Sequence, residues 1–247
     1  LSTPKQAMNE TALLEQLNFY QALIDAIPYA ENSIASLSNN ADMLSYAEKL
    51  KIVERIKHPL GDMIVMKENQ AVLNTYFRNN ILHVFILPAA ICFYLENKKK
   101  TSLVYIQRFI GLIYPLVQRE FFLHWSPEKM DAVTEEMLNA LTVLGIIEHS
   151  LEGYTIATDN LQARNLSVLS RAIHHTIERY TITLAILNKA KHATLTTATL
   201  ETHSHLVAQK LSILQEFNAP EFFDKNLFKT LIDTLMSLKM IAVQKEY

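Results

Sequence analysis

Apolar residues recur at three- and four-residue steps through most of this chain, the spacing that gathers them on one helical face. Leu13, Leu17, Tyr20, Ile24 and Ile27 form such a stripe between Thr11 and Pro28 and predict an amphipathic helix. The polar stretch 30–40 reads as a linker, with Asn40 placed to cap a short helix through Leu50. The period then changes. In 52–66, IVERIK and DMIVM flank His-Pro-Leu-Gly, the layout of a small hairpin. Residues 70–95 return to helix, kinked at Pro88, and 101–124 is another helix with Pro115 inside it. Ser126-Pro127-Glu128 opens a helix to Leu144, with Ser as N-cap and Pro in the first turn. Gly145 ends it, and IIEHSLEGYTIA predicts a second hairpin turning at Glu152-Gly153. Leu166, Leu169, Ile173, Ile177, Tyr180, Leu184 and Leu187 make 160–189 a long one-faced helix. Helices over 197–217 and 220–238 complete the chain.

A repeat runs through this layout. MLSYAEKLKIV begins at Met43, MLNALTVLGII at Met137 and LIDTLMSLKMI at Leu231, each 94 residues after the last. In each, a helix leaves through a leucine into an extended apolar segment, as in the back half of a winged-helix unit. The expected fold is therefore mostly α: a helical domain with short β-hairpins and two or three winged-helix-like modules. The divisions are 1–97 for the N-terminal helices and first hairpin, 98–158 for a winged-helix-like module and 159–247 for a C-terminal helical module. A single compact unit is the alternative.

Composition narrows the function. Only four glycines occur, none close enough to another to cradle a phosphate, which excludes Rossmann and P-loop sites and disfavours a sandwich or barrel of many tight turns. Net charge is −2, and no run of like charge exceeds Lys98-Lys99-Lys100, so no nucleic-acid partner is expected. The single cysteine, Cys92, lies in an apolar run and points to a reducing compartment on the cytoplasmic side. That run, ILHVFILPAAICFYL over 81–95, falls short of the ~20 residues a membrane span needs. The N-terminal Leu-Ser-Thr-Pro has no signal-peptide layout and reads as an internal cut.

Candidate chemistry is sparse. His174-His175 and His203-x-His205 point their rings about 100° and 200° apart on a helix, whereas helical ligand pairs stand three or four residues apart, so no metal site is expected. Cys92 reads as an inert buried thiol, no Gly-x-Ser-x-Gly occurs, and neither a catalytic residue nor a cofactor is expected. The densest polar cluster in apolar surroundings is Tyr76-Phe77-Arg78-Asn79-Asn80 with His83. One reading makes Arg78 a ligand or phosphate contact. The other makes Arg78, Asn79, Asn80 and His83 a buried polar network that clamps this helix to its neighbours or to another domain.

At this stretch the sequence resembles a known family. YFRNNILHVFILP, 76–88, is similar to the tyrosine-aromatic-Arg-Asn-Asn motif in the C-terminal region of bacterial membrane-associated glycerol-3-phosphate acyltransferases. GDMIVMKENQAVLNTYFRNN, IYPLVQREFFLHW, IERYTITLAIL and AQKLSILQEFNAPEFFDKNLF resemble that region in order and spacing, over about 14–241. The resemblance implies a parent enzyme that moves an acyl group from acyl carrier protein or acyl-CoA to glycerol 3-phosphate, opening phospholipid synthesis, peripheral to the cytoplasmic face of the inner membrane. The family's His-x4-Asp box is missing here: no histidine has Asp five positions on, and His58 to Asp62 is one residue short. No catalytic residue carries over. The implied role is a non-catalytic helical region whose partner is the catalytic domain of the same polypeptide. The alternative is a membrane-surface or protein-binding module. Its motive is the 81–95 run followed by Lys98, Lys99 and Lys100, an apolar face with a basic edge suited to anionic lipid.

Overall fold

The computed structural model describes residues 7–27, 29, 39–66, 68–190, 195–214 and 220–241. Strand β1 (Ala7–Asn9) leads into α1 (Glu10–Ala26) and α2 (Asn40–Lys49), then the hairpin β2 (Glu54–Ile56) and β3 (Met63–Val65). The long helix α3 (Glu68–Lys98) follows. The order then recurs with β4 (Lys100–Thr101), α4 (Leu103–Phe121), α5 (Met130–Val143), β5 (Ile147–Ser150), β6 (Gly153–Ile156) and a second long helix, α6 (Asn160–Lys189). Helices α7 (Thr197–Leu214) and α8 (Lys225–Ser237) close the described chain. The protein is mostly helical with two small antiparallel sheets, as the periodicity predicts.

Both hairpins form, the second turning at Leu151-Glu152, one residue before the predicted Glu152-Gly153, and each gains a third strand that the pattern does not announce. β1 pairs with β3 and β4 with β6, giving the orders β1-β3-β2 and β4-β6-β5. Strands of two or three residues are too short to show an alternating period.

The 94-residue recurrence reappears as backbone geometry. Lys51, Gly145 and Lys239 all take left-handed φ values, 57°, 70° and 57°. At each, the amide of the left-handed residue bonds back three residues and the next amide bonds back five: Lys51 to Glu48 and Ile52 to Ala47, Gly145 to Thr142 and Ile146 to Leu141, Lys239 to Met236 and Met240 to Leu235. This is the Schellman ending, in which a left-handed residue satisfies the last carbonyls of a helix.

Three local expectations change. Asn39, not Asn40, caps α2 by accepting the Ala41 amide at 3.0 Å, while Asn40 is buried and donates to the Asn18 side chain. The stripe of α1 is rotated: Phe19 and Leu23 are its buried residues, with Tyr20, Ile24 and Ile27 packed beside them. On α6, Leu184 faces solvent while Ile182 and Thr183 are buried, because past Tyr180 the helix meets α7 rather than the main core. The predicted linker over 30–38 lies outside the described residues.

The main core draws on α1, α3, α4, α5, α6, α8 and the second hairpin. Its centre is α3, where Phe85 to Cys92 and Leu95 are buried. A satellite cluster joins Ile182, Ala208, Phe222 and Phe228. Most of the 81–95 run is thus packed inside the protein. Residues 77–98 are long and apolar enough to cross a membrane, but half of that segment is enclosed by protein, and the apolar side chains from Phe85 onward pack into the core. Cys92 is wholly buried, and burial pushes its thiol up, as an inert thiol requires.

The first sheet is pinned by charge. On β2, Arg55 bonds Glu10 at 2.5 Å, Glu48 at 2.8 Å and Asp62 at 3.1 Å, and Lys57 bonds Asp62 at 2.6 Å. Arg55 holds the Glu10 carboxyl below its ordinary range, and Lys57 and then Arg55 do the same for Asp62. Lowered carboxyl pKa values contribute stability above the ordinary carboxylate range, about pH 4, that is lost as pH falls through the lowered values. Arg55→Met is therefore expected to flatten the loss of stability below about pH 4. Urea midpoints at pH 3 and pH 6 for both proteins measure this, and equal pH slopes would refute it.

Candidate functional site

About two turns of α3 carry the polar cluster singled out above. Arg78 donates from Nη2 to Asn79 Oδ1 at 3.2 Å, Arg78 and Asn80 are exposed, and Asn79 is half-buried. Phe77 (58% exposed) and Ile81 stand beside Arg78 on the same helical face. The expected buried network is thus not here. The fully enclosed stretch of α3 is Phe85–Cys92, and Arg78 and Asn80, on the turns before it, stay in water. The Tyr76 side chain lies outside the described residues. His83, about 140° round the helix from Arg78, belongs to another group. Its ring meets Tyr29 edge-on at 4.8 Å, and Tyr29 also meets His124 at 4.6 Å and Trp125 at 5.0 Å. Tyr114 donates to the Trp125 carbonyl at 2.5 Å and Gln118 does so at 2.8 Å, fixing this turn from below. Burial, then the nearby Tyr29 phenol, pushes the Tyr114 phenol up to about 12.

The buried polar network lies on α6. Arg179 donates to Glu120, from the last turn of α4, and to Thr176 Oγ1 at 3.2 Å, and Tyr180 donates to the other Glu120 oxygen at 2.9 Å. The Arg179 and Glu120 side chains are 3% and 7% exposed. Burial and the Glu120 charge push the Tyr180 phenol well up. These residues stand 59 and 60 apart in the chain, and no local pattern links them.

One turn earlier, His174 and His175 converge on Glu178. A single oxygen, Glu178 Oε2, lies 3.6 Å from His174 Nδ1 and 3.3 Å from His175 Nδ1. Comparing the histidines only with each other misses this. The legible signal is the pair of spacings to Glu178, four and three residues, which bring side chains together on a helix.

Helix α7 reverses the usual amphipathic order. Its buried face is Leu200, Ser204, Ala208 and Ser212, and the three small residues let the backbone lie close to α6, where Thr183 Oγ1 donates to Ser204 Oγ at 3.2 Å. Leu206, Val207, Ile213 and Leu214 face outward.

None of these groups pairs a nucleophile with a base inside a cavity. The family model described as the glycerol-3-phosphate acyltransferase C-terminal region matches residues 1–244. A glycerol-3-phosphate acyltransferase of Pseudomonas paraeruginosa (strain DSM 24068 / PA7) is 36% identical over 242 residues, covering 98% of this chain and 29% of that protein. One of Pseudomonas putida (strain GB-1) is 34% identical over 237 residues, covering 96% of this chain and 29% of its own length. The chain thus spans less than a third of the curated relatives it matches. Matched along nearly its whole length by one family model, the chain belongs to the family of glycerol-3-phosphate acyltransferase C-terminal regions.

Proposed function

We propose that this region is the non-catalytic, helical part of a glycerol-3-phosphate 1-O-acyltransferase, and that it packs on and supports the catalytic portion of the same polypeptide. The observation that carries the reading is α7, which turns serine and alanine inward and Leu206, Val207, Ile213 and Leu214 outward. Clustered large apolar side chains left in water mark a contact surface. The turns of α3 with Phe77, Arg78 and Ile81 exposed form a second apolar contact, with Arg78, Asn79 and Asn80 as its polar rim. Acyl carrier protein or acyl-CoA, and the membrane face, belong to the complete enzyme. The recurring helix ending at Lys51, Gly145 and Lys239 supports reading the chain as containing two or three winged-helix-like units.

The test uses the complete acyltransferase polypeptide carrying Leu206→Glu and Ile213→Glu. Because both side chains are exposed, the same changes in the present chain alone are expected to shift its stability by no more than about 0.5 kcal/mol each. In the complete enzyme they are expected to open the contact, with faster proteolysis between the two parts and reduced acyl transfer. Unchanged proteolysis and activity would exclude α7 as the contact. Acyl transfer by the present chain alone, above a no-protein control, would overturn the non-catalytic reading.

A further inference from the structure

We infer that His174, His175 and Glu178 on α6 form a binding site for a borderline transition-metal ion of the Zn²⁺, Cu²⁺ or Ni²⁺ class. One carboxylate oxygen and two imidazole nitrogens, all within 4.8 Å of one another, converge from successive turns of one helix. Glu178 Oε2 is 3.6 Å from His174 Nδ1 and 3.3 Å from His175 Nδ1. Donors bound to zinc at its usual bond lengths stand about 3.3–3.5 Å apart along a tetrahedral edge. One edge, at 3.3 Å, therefore already has the required length, the second, at 3.6 Å, is slightly long, and the third must close from within 4.8 Å by rotation of the imidazoles. A donor set of two nitrogens and one oxygen suits Zn²⁺, Cu²⁺ or Ni²⁺, whereas Mg²⁺ and Ca²⁺ favour all-oxygen shells.

The surroundings favour an ion over a plain hydrogen-bonded trio. His175 Nδ1 is within hydrogen-bonding distance of Glu178 Oε2, whereas His174 Nδ1, at 3.6 Å, is beyond it, so a hydrogen bond does not account for the approach of His174. A divalent ion seated among the three atoms uses a lone pair from each. The neighbouring cation, Arg179, is held by Glu120, and among the described residues no Lys or Arg lies within salt-bridge distance of Glu178. Phe93 lies 6.2 Å from the His174 ring and Phe222 lies 5.4 Å from the His175 ring, limiting the freedom of both imidazoles. His174 is half-exposed, so water completes the coordination sphere from the open side.

The test is titration of the tag-free 247-residue chain with CuCl₂, followed by calorimetry and by electron paramagnetic resonance, which reports the nitrogens bound to the ion. One saturable equivalent with coupling from two nitrogens is expected. His174→Ala, His175→Ala and Glu178→Gln are each expected to weaken binding about tenfold or more, while His203→Ala, on α7, leaves it unchanged. These are partly exposed positions, so the variants remain folded, and circular dichroism checks that they do. No saturable binding, a high-affinity equivalent that persists in the His174→Ala/His175→Ala double variant, or full affinity in Glu178→Gln would each overturn the assignment.

Discussion

Glu120→Ala is expected to lower the unfolding free energy by about 3–5 kcal/mol, the cost of stranding a buried charge by removing its partner. Arg179 sits 3% exposed in α6, with Glu120 as its carboxylate partner and Thr176 beside it. Truncating Glu120 also strips the acceptor from the Tyr180 hydroxyl, which is nearly as deeply enclosed. Two desolvated donors lose their acceptor in one substitution. The loss belongs to the orphaned groups rather than to the net value of the ion pair, and a companion variant separates the two. Glu120→Leu combined with Arg179→Met and Tyr180→Phe removes both charges and the stranded hydroxyl while keeping similar bulk, and is expected to recover most of the stability. Urea denaturation followed by far-ultraviolet circular dichroism measures all three proteins. A loss below about 1 kcal/mol for Glu120→Ala would place it with exposed salt bridges, and water would have to reach Arg179 in the folded state.

Gly153→Ala should be the second most damaging change, at about 3 kcal/mol or more, because two penalties coincide there. Gly153 has φ +116°, a conformation that side chains rarely adopt, and a Cβ would overlap the Thr101 carbonyl oxygen and lie 2.9 Å from its carbonyl carbon. That carbonyl belongs to β4, hydrogen-bonded to β6, so relief requires the strands to separate. Gly145 provides the contrast. It too is left-handed, at φ +70°, but a Cβ there meets nothing within 4 Å. Lys51 and Lys239 occupy the matching helix endings with side chains in place. Gly145→Ala is expected to cost only about 1 kcal/mol, the backbone penalty alone. Thermal or urea unfolding of the two variants tests the difference. Equal losses would mean that β4 yields freely and that the second sheet is loosely held.

Much of this architecture is legible from local chemistry. The long helix predicted over 160–189 matches α6 because its stripe persists for many turns and Asp159 accepts the Leu161 and Gln162 amides at its start. The hairpins follow from turn residues between short apolar runs. The site residues were harder to place. Arg78 and the two asparagines after it, written into an apolar segment, suggest burial, yet they lie on turns of α3 that the rest of the fold does not enclose. Burial of a polar residue depends on what lies across from it, and neighbours along the chain do not carry that information.

The sequence alone determined the succession of helices and hairpins, the 94-residue recurrence and the family resemblance, because each depends on residues near one another in the chain or on their order. Only the tertiary structure decided that Phe85 to Cys92 and Leu95 belong to the core, that Arg179 meets Glu120 across 59 residues, and that α7 turns its small residues inward. It also brought β1 and β4 onto the edges of the two sheets. The reason is common to all four. A side chain's helical face can be read from its spacing, but whether that face meets protein or water is decided by elements far away in sequence.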